Sequence, residues 1–570
     1  MPHPDSSDVY IPAMPLPETL LTATWSDLDL QVVHGAWPDG MHGEMFVSAP
    51  VVDPRLTFQL FGFGAMARLS LRPGTFGAAA DRFALRVRTI DTPVQRLHDL
   101  HPDAFHGGVL GLESAFGHAN MVNTAPLPWG DRLFATWDVG RPVEIDPVSL
   151  GFVAEVGSAR SWGGDSFGNG RNVLPQVFST AHPIVDPERG CMWTVKLALG
   201  TAGLEPTVVR YDGTGAAVRT WRLPGAAVAG SMHTITQTRH WLVLADSGNF
   251  KADFGEIMGG DRSVQIDTEV PVYLVRKDAL DATPTGGEVA YERAVFGPTT
   301  GHYYADWDDT DGIRVLFEHM DLTDLACRLK PGDVDAHGNA LNPAYVGMYQ
   351  MAMSAQTVSE IVFRPGADRG TVQASSRHDW TWNLQLSAMD WSLPGRIAPS
   401  HHHVVFQGRR PGALSRRVLD VYRDRIDERA VAGDEQPATL ATFRRGGLDL
   451  HATYTYPSLG DFPSSPIFVP REGGTPGGGD GWVVVPVISD DGFRVECFDA
   501  ADVGRGPVAV LAGPNRDRVP FMLHSVWMPR AVPCADADRL RFRDDLDPDA
   551  VAALPDHLRR AVDEVAATLA

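Results

Sequence analysis

Apolar residues fall along this chain in short runs rather than long ones. RLFATW (132–137), HWLVLAD (240–246), PVYLVRK (271–277), IRVLFEH (313–319), SEIVFRP (359–365) and GWVVVPVIS (481–489) are rich in β-branched and aromatic residues. Gly, Pro or Asp bounds each, so each predicts a strand. Helical spacing is almost absent before residue 540. From Asp544 to Ala570, apolar positions recur every three to four residues, which predicts a helix that Pro555 breaks or kinks. Many short strands with turns between them suit a sandwich, a barrel or a propeller, and their number favours a propeller of four-stranded blades. No internal repeat is visible, so the blades diverge in sequence. The expected fold is all-β, one propeller domain over residues 1–570 with a short helical tail at about 544–570. Residues 430–438 and 471–481 read as loop insertions.

Composition narrows the function. The net charge of -22 repels phosphate backbones, so nucleic acid is not an expected partner. The four cysteines, Cys191, Cys327, Cys497 and Cys534, form no CxxC pair, which argues against a disulfide framework or a zinc knuckle and fits a reducing compartment. The opening MPHPDSSDVYIPAMPLPE has no basic stretch followed by an apolar one, so no secretion signal is expected and the expected location is cytoplasmic. No apolar run reaches the roughly eighteen residues of a spanning helix.

Among 20 histidines, four have informative surroundings. His182 lies in FSTAHPIVDPERGCMW, where Pro183 cannot continue a central ladder, so the imidazole projects from a strand end. His233 in GSMHTITQTRHWLVLAD and His302 in TTGHYYADWDDTDGIRVLF each precede a predicted strand. His524 in VPFMLHSVWMP has an apolar setting, where a buried imidazole needs a partner. Their separations are far too long for a helix-borne HExxH motif. They suit ligands that meet on a propeller axis. An all-imidazole set without thiolate favours iron with open coordination positions, although imidazole also binds copper, nickel and zinc.

At these residues the chain resembles the carotenoid cleavage oxygenases, a family of apocarotenoid- and stilbene-cleaving dioxygenases that also includes a retinoid isomerohydrolase. TAHP (180–183), MHTITQT (232–238), HYYADWDDTDG (302–312) and LHSVWMP (523–529) are similar, in order, to the four ligand motifs of that family. GAWPDGMHGEMFVSAP (35–50), FGFGAM (61–66), GHANMVNT (117–124), WDVGRPVEIDPVSL (137–150) and SSPIFVPREGG (464–474) resemble further family segments. The resemblance implies a seven-bladed β-propeller, capped by loops and short helices, with Fe(2+) on its axis held by His182, His233, His302 and His524. FEHMDL (317–322) competes for the third ligand place through Glu318 or His319, and His302 is preferred. The triplet His401-His402-His403 reads as a solvated or structural loop.

Three places depart from the family pattern. In the family, glutamates accept from the outer nitrogens of three ligands, and this alignment puts Gly151, Ala398 and Ser465 there. Ser465 itself, Glu144, Glu155 or Asp461 could substitute. Thr234, Ala305 and Ser525 replace the family Asp, Asn and Gly beside the ligands, and Leu150 stands where a phenolate-binding Lys is expected, which disfavours 4-hydroxystilbene.

Three functions stay open. The first is an iron(II) dioxygenase that uses O2 to cleave a C=C bond of an apolar conjugated substrate, apocarotenoid-, stilbenoid- or phenylpropene-like, to carbonyl products. The second is a metal-dependent isomerase or hydrolase. The third is a non-catalytic propeller binding a lipid or a partner. A membrane-facing role for VLGLESAF (109–116) competes with its reading as a buried loop.

Overall fold

The computed structural model describes residues 25–569 apart from 52–61, 108–112, 168–171, 248–250, 252, 254, 256–259, 298–300, 321–322, 342–348, 354, 382–385, 394, 396–399, 476, 514–518 and 536. Among them the architecture is an all-β propeller. Five four-stranded sheets stand separately, within residues 125–155, 184–222, 235–296, 302–381 and 386–455. Each is antiparallel throughout.

The remaining large sheet corrects the expected seven separate blades. It is one continuous ten-stranded sheet. The strand Trp25–Gly35 causes the fusion: Trp25–Leu30 pair with Arg88–Phe83, and Gln31–Gly35 pair with Ala512–Ala509. A bulge between Val32 and His34 adds the twist that lets one strand serve both partners. The same sheet takes in Ser525–Met528, which pair with Val47–Glu44 near the other end of the chain. Segments distant in sequence are thereby hydrogen-bonded into one unit.

The strands read as unbroken apolar runs because most are buried on both faces. Cores between successive sheets show this: Leu197 and Trp193 pack with Leu242 and Leu244, Val243 with Val315 and Phe317, and Leu316 with Val404 and Phe443. Gly481–Ser489 is buried along most of its length, unlike a strand with one wet face. It turns through Asp490-Asp491 into Gly492–Asp499, and Gly492 supplies the positive φ of 108° that the tight turn needs.

The tail is helical in pieces: Phe542–Asp545, Pro548–Ala553 and Asp556–Thr568. The break before Asp556 falls at Leu554-Pro555, where proline lacks the donor a continuing helix needs. Ala561, Val562 and Val565 pack on Val94 and Leu97 of the helix Pro93–Leu100. No helix among the described residues is long and apolar enough to cross a membrane. Residues 109–112 of the VLGLESAF segment lie outside the described residues.

Candidate metal centre

Four innermost strands carry the four histidines at equivalent ends. His302 opens the strand His302–Ala305, and His524 directly precedes Ser525–Met528. His182 and His233 stand two residues ahead of Ile184–Asp186 and Ile235–Gln237. A strand end on the axis frees the side chain from the ladder and points it at its counterparts.

The imidazoles converge. One ring nitrogen of each lies within 4.8 Å of the others. His302 Nε2 is 3.0 Å from His182 Nε2 and 3.2 Å from His233 Nε2. Ring centroids of His182 lie 4.8, 4.7 and 4.4 Å from those of His233, His302 and His524, with the planes near perpendicular. Two nitrogens bound at about 2.1 Å and at right angles on one ion would stand about 3.0 Å apart. The donor set therefore fits a single transition-metal ion. Burial, then the neighbouring imidazoles, holds His182 well below the usual histidine range, and burial first and His233 second push His524 down to about 3. Neutral imidazole is the form that binds metal.

The backbone around the rings is pinned. His182 N–H donates to the His233 carbonyl (3.2 Å), and Thr180 Oγ1 donates to the same oxygen (2.7 Å). Thr136 Oγ1 donates to the Ala181 carbonyl (2.5 Å), and His233 N–H donates to Ser247 Oγ (2.8 Å). Ser48 N–H donates to the His524 carbonyl (3.0 Å). The three departures beside the ligands have local roles. Thr234 Oγ1 donates to the Gly301 carbonyl (2.7 Å), one residue before His302. Ala305 N–H donates to Thr236 Oγ1 (2.9 Å). Ser525 Oγ has Ser465 Oγ at 2.8 Å and the carbonyls of Ser465 and Pro466 each at 3.0 Å as acceptors for its one proton.

One carboxylate is present that the alignment missed. His233 Nδ1 lies 2.9 and 3.0 Å from the two oxygens of Asp138, so an Nδ1–H donates outward while Nε2 faces the centre. The signal was there: Asp138 is the acid of WDVG (137–140), a segment already similar to the family pattern. Gly151 is not the place to look. It lies in the hairpin between Val143–Ile145 and Phe152–Glu155, the two strands farthest from the axis in their blade. Leu150, buried beneath the same hairpin at φ 64°, also lies away from the centre and carries no information about phenols.

Ala398 lies outside the described residues. Ser465 is buried beside the strand that follows His524 and accepts from Ser525 N–H at 3.0 Å, so its hydroxyl braces that strand. The other suggested acids are engaged elsewhere: Glu144 with Arg132 and Arg539, Glu155 with Arg141, Asp461 with Arg494. His319 is not part of the group; its Nε2 is 2.8 Å from Ser359 Oγ. The triplet is no loop: His401–Phe406 is a strand, and His402 and His403 are buried in it. A separate cavity, lined by Arg239, Asp306, Trp307, Asp308 and Arg314, opens beyond the far end of His302–Ala305; its charged lining is no match for an apolar chain.

Comparison with known proteins places this geometry. A family model described as retinal pigment epithelial membrane protein matches residues 20–529. A lignostilbene dioxygenase from Pseudomonas brassicacearum shares the fold at 16% identity and a TM-score of 0.57, covering 93% of this chain and 100% of that one. A Synechocystis apocarotenoid oxygenase does so at 16% identity and a TM-score of 0.58, covering 90% and 98%. Its cobalt-substituted form is 18% identical, with a TM-score of 0.57 and coverages of 90% and 98%. No curated protein sequence matches. These identities speak for the fold alone, while the family match spans most of the sequence. The chain belongs to the retinal pigment epithelial membrane protein family, the carotenoid cleavage oxygenases that its histidine motifs resemble.

Proposed function

We propose that His182, His233, His302 and His524 hold one iron(II) ion and that the protein is a dioxygenase cleaving a C=C bond of an apolar conjugated molecule. The observation that carries the proposal is the convergence of four imidazole nitrogens within 4.8 Å. Four lone pairs brought together in a half-buried pocket repel one another unless a cation lies between them. A structural neighbour, the Synechocystis apocarotenoid oxygenase, has a cobalt-substituted form.

Iron(II) bound there would supply the activation of dioxygen. The chain's own residues do the rest. The neutral imidazoles compensate no charge of their own, so the ion keeps its full attraction for electron-rich partners. Asp138 fixes the His233 tautomer, and the pinned carbonyls of Ala181, His233 and His524 fix the directions of the rings. No side-chain acid or base is required, because one alkene and one O2 give two carbonyl products with every atom conserved. Apocarotenoids, stilbenoids and phenylpropenes are the substrate classes.

The isomerase or hydrolase reading and the non-catalytic reading are separated by one set of measurements. Protein purified without a histidine tag is loaded anaerobically with iron(II) and offered the three alkene classes in an oxygen electrode. Oxygen uptake matched by carbonyl products supports the proposal. Turnover without oxygen uptake overturns it in favour of isomerisation or hydrolysis. Failure to take up iron overturns the metal centre itself.

A further inference from the structure

Glu318 is fully buried, and the mechanism above does not use it. It lies on Ile313–Met320, one strand out from the axis, directly opposite His302 in the antiparallel register. Directly opposed residues in such a pair point to the same face, with Cβ atoms about 4.5–5.5 Å apart. His302 presents Nε2 to the other ligands, so Nδ1 is its outer nitrogen. Tyr304, two residues along the same strand, shares that face.

The face meets the next blade. Ser387, on the innermost strand there, donates through Oγ to Glu318 Oε1, and His402 Nε2 lies 2.6 Å from the same oxygen. Gln356 Nε2 donates to Oε2 at 3.4 Å. Ser387 and Gln356 thus donate to the carboxylate, and the His402 ring lies against the same oxygen without a hydrogen bond. A buried carboxylate with neutral donors alone is costly, by several kcal/mol. A cation one imidazole away offsets that cost. Blade-to-blade packing, by contrast, would be served equally well by an apolar side chain at position 318.

We infer that Glu318 is the positioning carboxylate for His302: it stands behind the ring and fixes its tautomer and direction toward the metal, as Asp138 does for His233. The acid comes from the neighbouring strand of the same blade. The inference rests on the proposed metal centre.

The test uses full-length protein with the natural residue, Glu318→Gln and Glu318→Asp, titrated anaerobically with iron(II) against a competing chelator. Cobalt(II) absorption spectra and metal-free melting curves are recorded in parallel. Glu318→Gln is expected to bind iron about 10–100-fold more weakly and to shift the cobalt spectrum. Glu318→Asp, which keeps the carboxylate on a shorter arm, is expected to bind iron about three- to tenfold more weakly. Should the Gln variant not fold, the Asp variant decides. Unchanged affinity and an unchanged cobalt spectrum in every variant that folds, with only a lower melting temperature, overturn the inference and leave the metal centre standing. If the unaltered protein takes up no metal, the metal centre falls, and the inference with it.

Discussion

Removing Asp138 tests how the metal centre is supported. Its carboxylate is 2.9–3.0 Å from His233 Nδ1, and the two side chains are 25% and 18% exposed. A hydrogen bond to a charged group contributes about 1.5–3 kcal/mol. Partial exposure screens it toward the lower half, about 1.5–2 kcal/mol. At about 1.4 kcal/mol per decade, Asp138→Ala should weaken iron(II) binding roughly ten- to thirtyfold. Asp138→Asn keeps an acceptor oxygen but not the charge. Neutral bonds are about half as strong, so its expected loss is about fivefold. Chelator competition under nitrogen measures both. The metal-free melting temperature should barely move, because a partly exposed hydrogen bond contributes only about 1 kcal/mol to folding. Equal affinities for all three proteins would refute the reasoning. So would a larger loss for Asn than for Ala, since that order cannot come from a charge-assisted bond.

His302→Ala should abolish stoichiometric iron binding while His319→Ala leaves it intact, as metal analysis after gel filtration will show; the reverse result would move the third ligand to His319. Lys277 Nζ is buried 2.8 Å from Asp186 and 2.7 Å from both Gln237 Oε1 and the Thr238 carbonyl. Lys277→Ala leaves Asp186 buried without that charge and should cost about 3–5 kcal/mol in urea denaturation. Burial pushes His403 down to about 3 and His118 to about 4, against about 6.5 for free histidine. Both are neutral when folded, so the unfolded chain binds more protons below pH 6.5. Metal-free stability should be full above about pH 6.5 and fall by up to about 1.4 kcal/mol per pH unit for each group as pH drops toward 4. A flat profile from pH 7.5 to 4.5 would show that these rings are solvated.

The sequence announced the strands because blades pack on both faces. A strand such as Gly481–Ser489 then needs apolar residues at nearly every position and becomes a plain run of them. The four converging histidines were legible for a related reason, since each stands at or just before the start of the innermost strand of its blade. Pairing across long separations was not legible. Nothing in WSDLDLQVVHG (25–35) says that its two halves join different partners. Nothing in FEH (317–319) says that Glu318, rather than His319, stands opposite His302. Placing a glutamate position at Gly151 failed because the local match ran through a hairpin at the far edge of the sheet, where a side chain cannot reach the axis.

The carboxylates behind the imidazoles show why their positions escape a motif. What a metal-bound imidazole needs is an acceptor in line with its outer N–H; the strand that supplies it is immaterial. A glutamate reaches that point with three side-chain torsions, an aspartate with two. The shorter arm demands a closer, better fixed backbone, and Asp138 has one. Ser179 N–H donates to the Asp138 carbonyl at 2.6 Å, and Ser179 Oγ donates to the carbonyls of Trp137 (3.0 Å) and Gly140 (2.6 Å) on either side. Ser179 is itself three residues from His182, so one loop sets both a ligand and the acid behind its neighbour. Fewer torsions also mean less entropy lost when the acid is ordered. Support built this way depends on loop geometry more than on reach. Ser179→Ala should therefore weaken metal binding without touching the ion, by loosening Asp138. If Ser179→Ala binds iron as tightly as the unaltered protein while Asp138→Ala does not, the carboxylate holds its place without that brace.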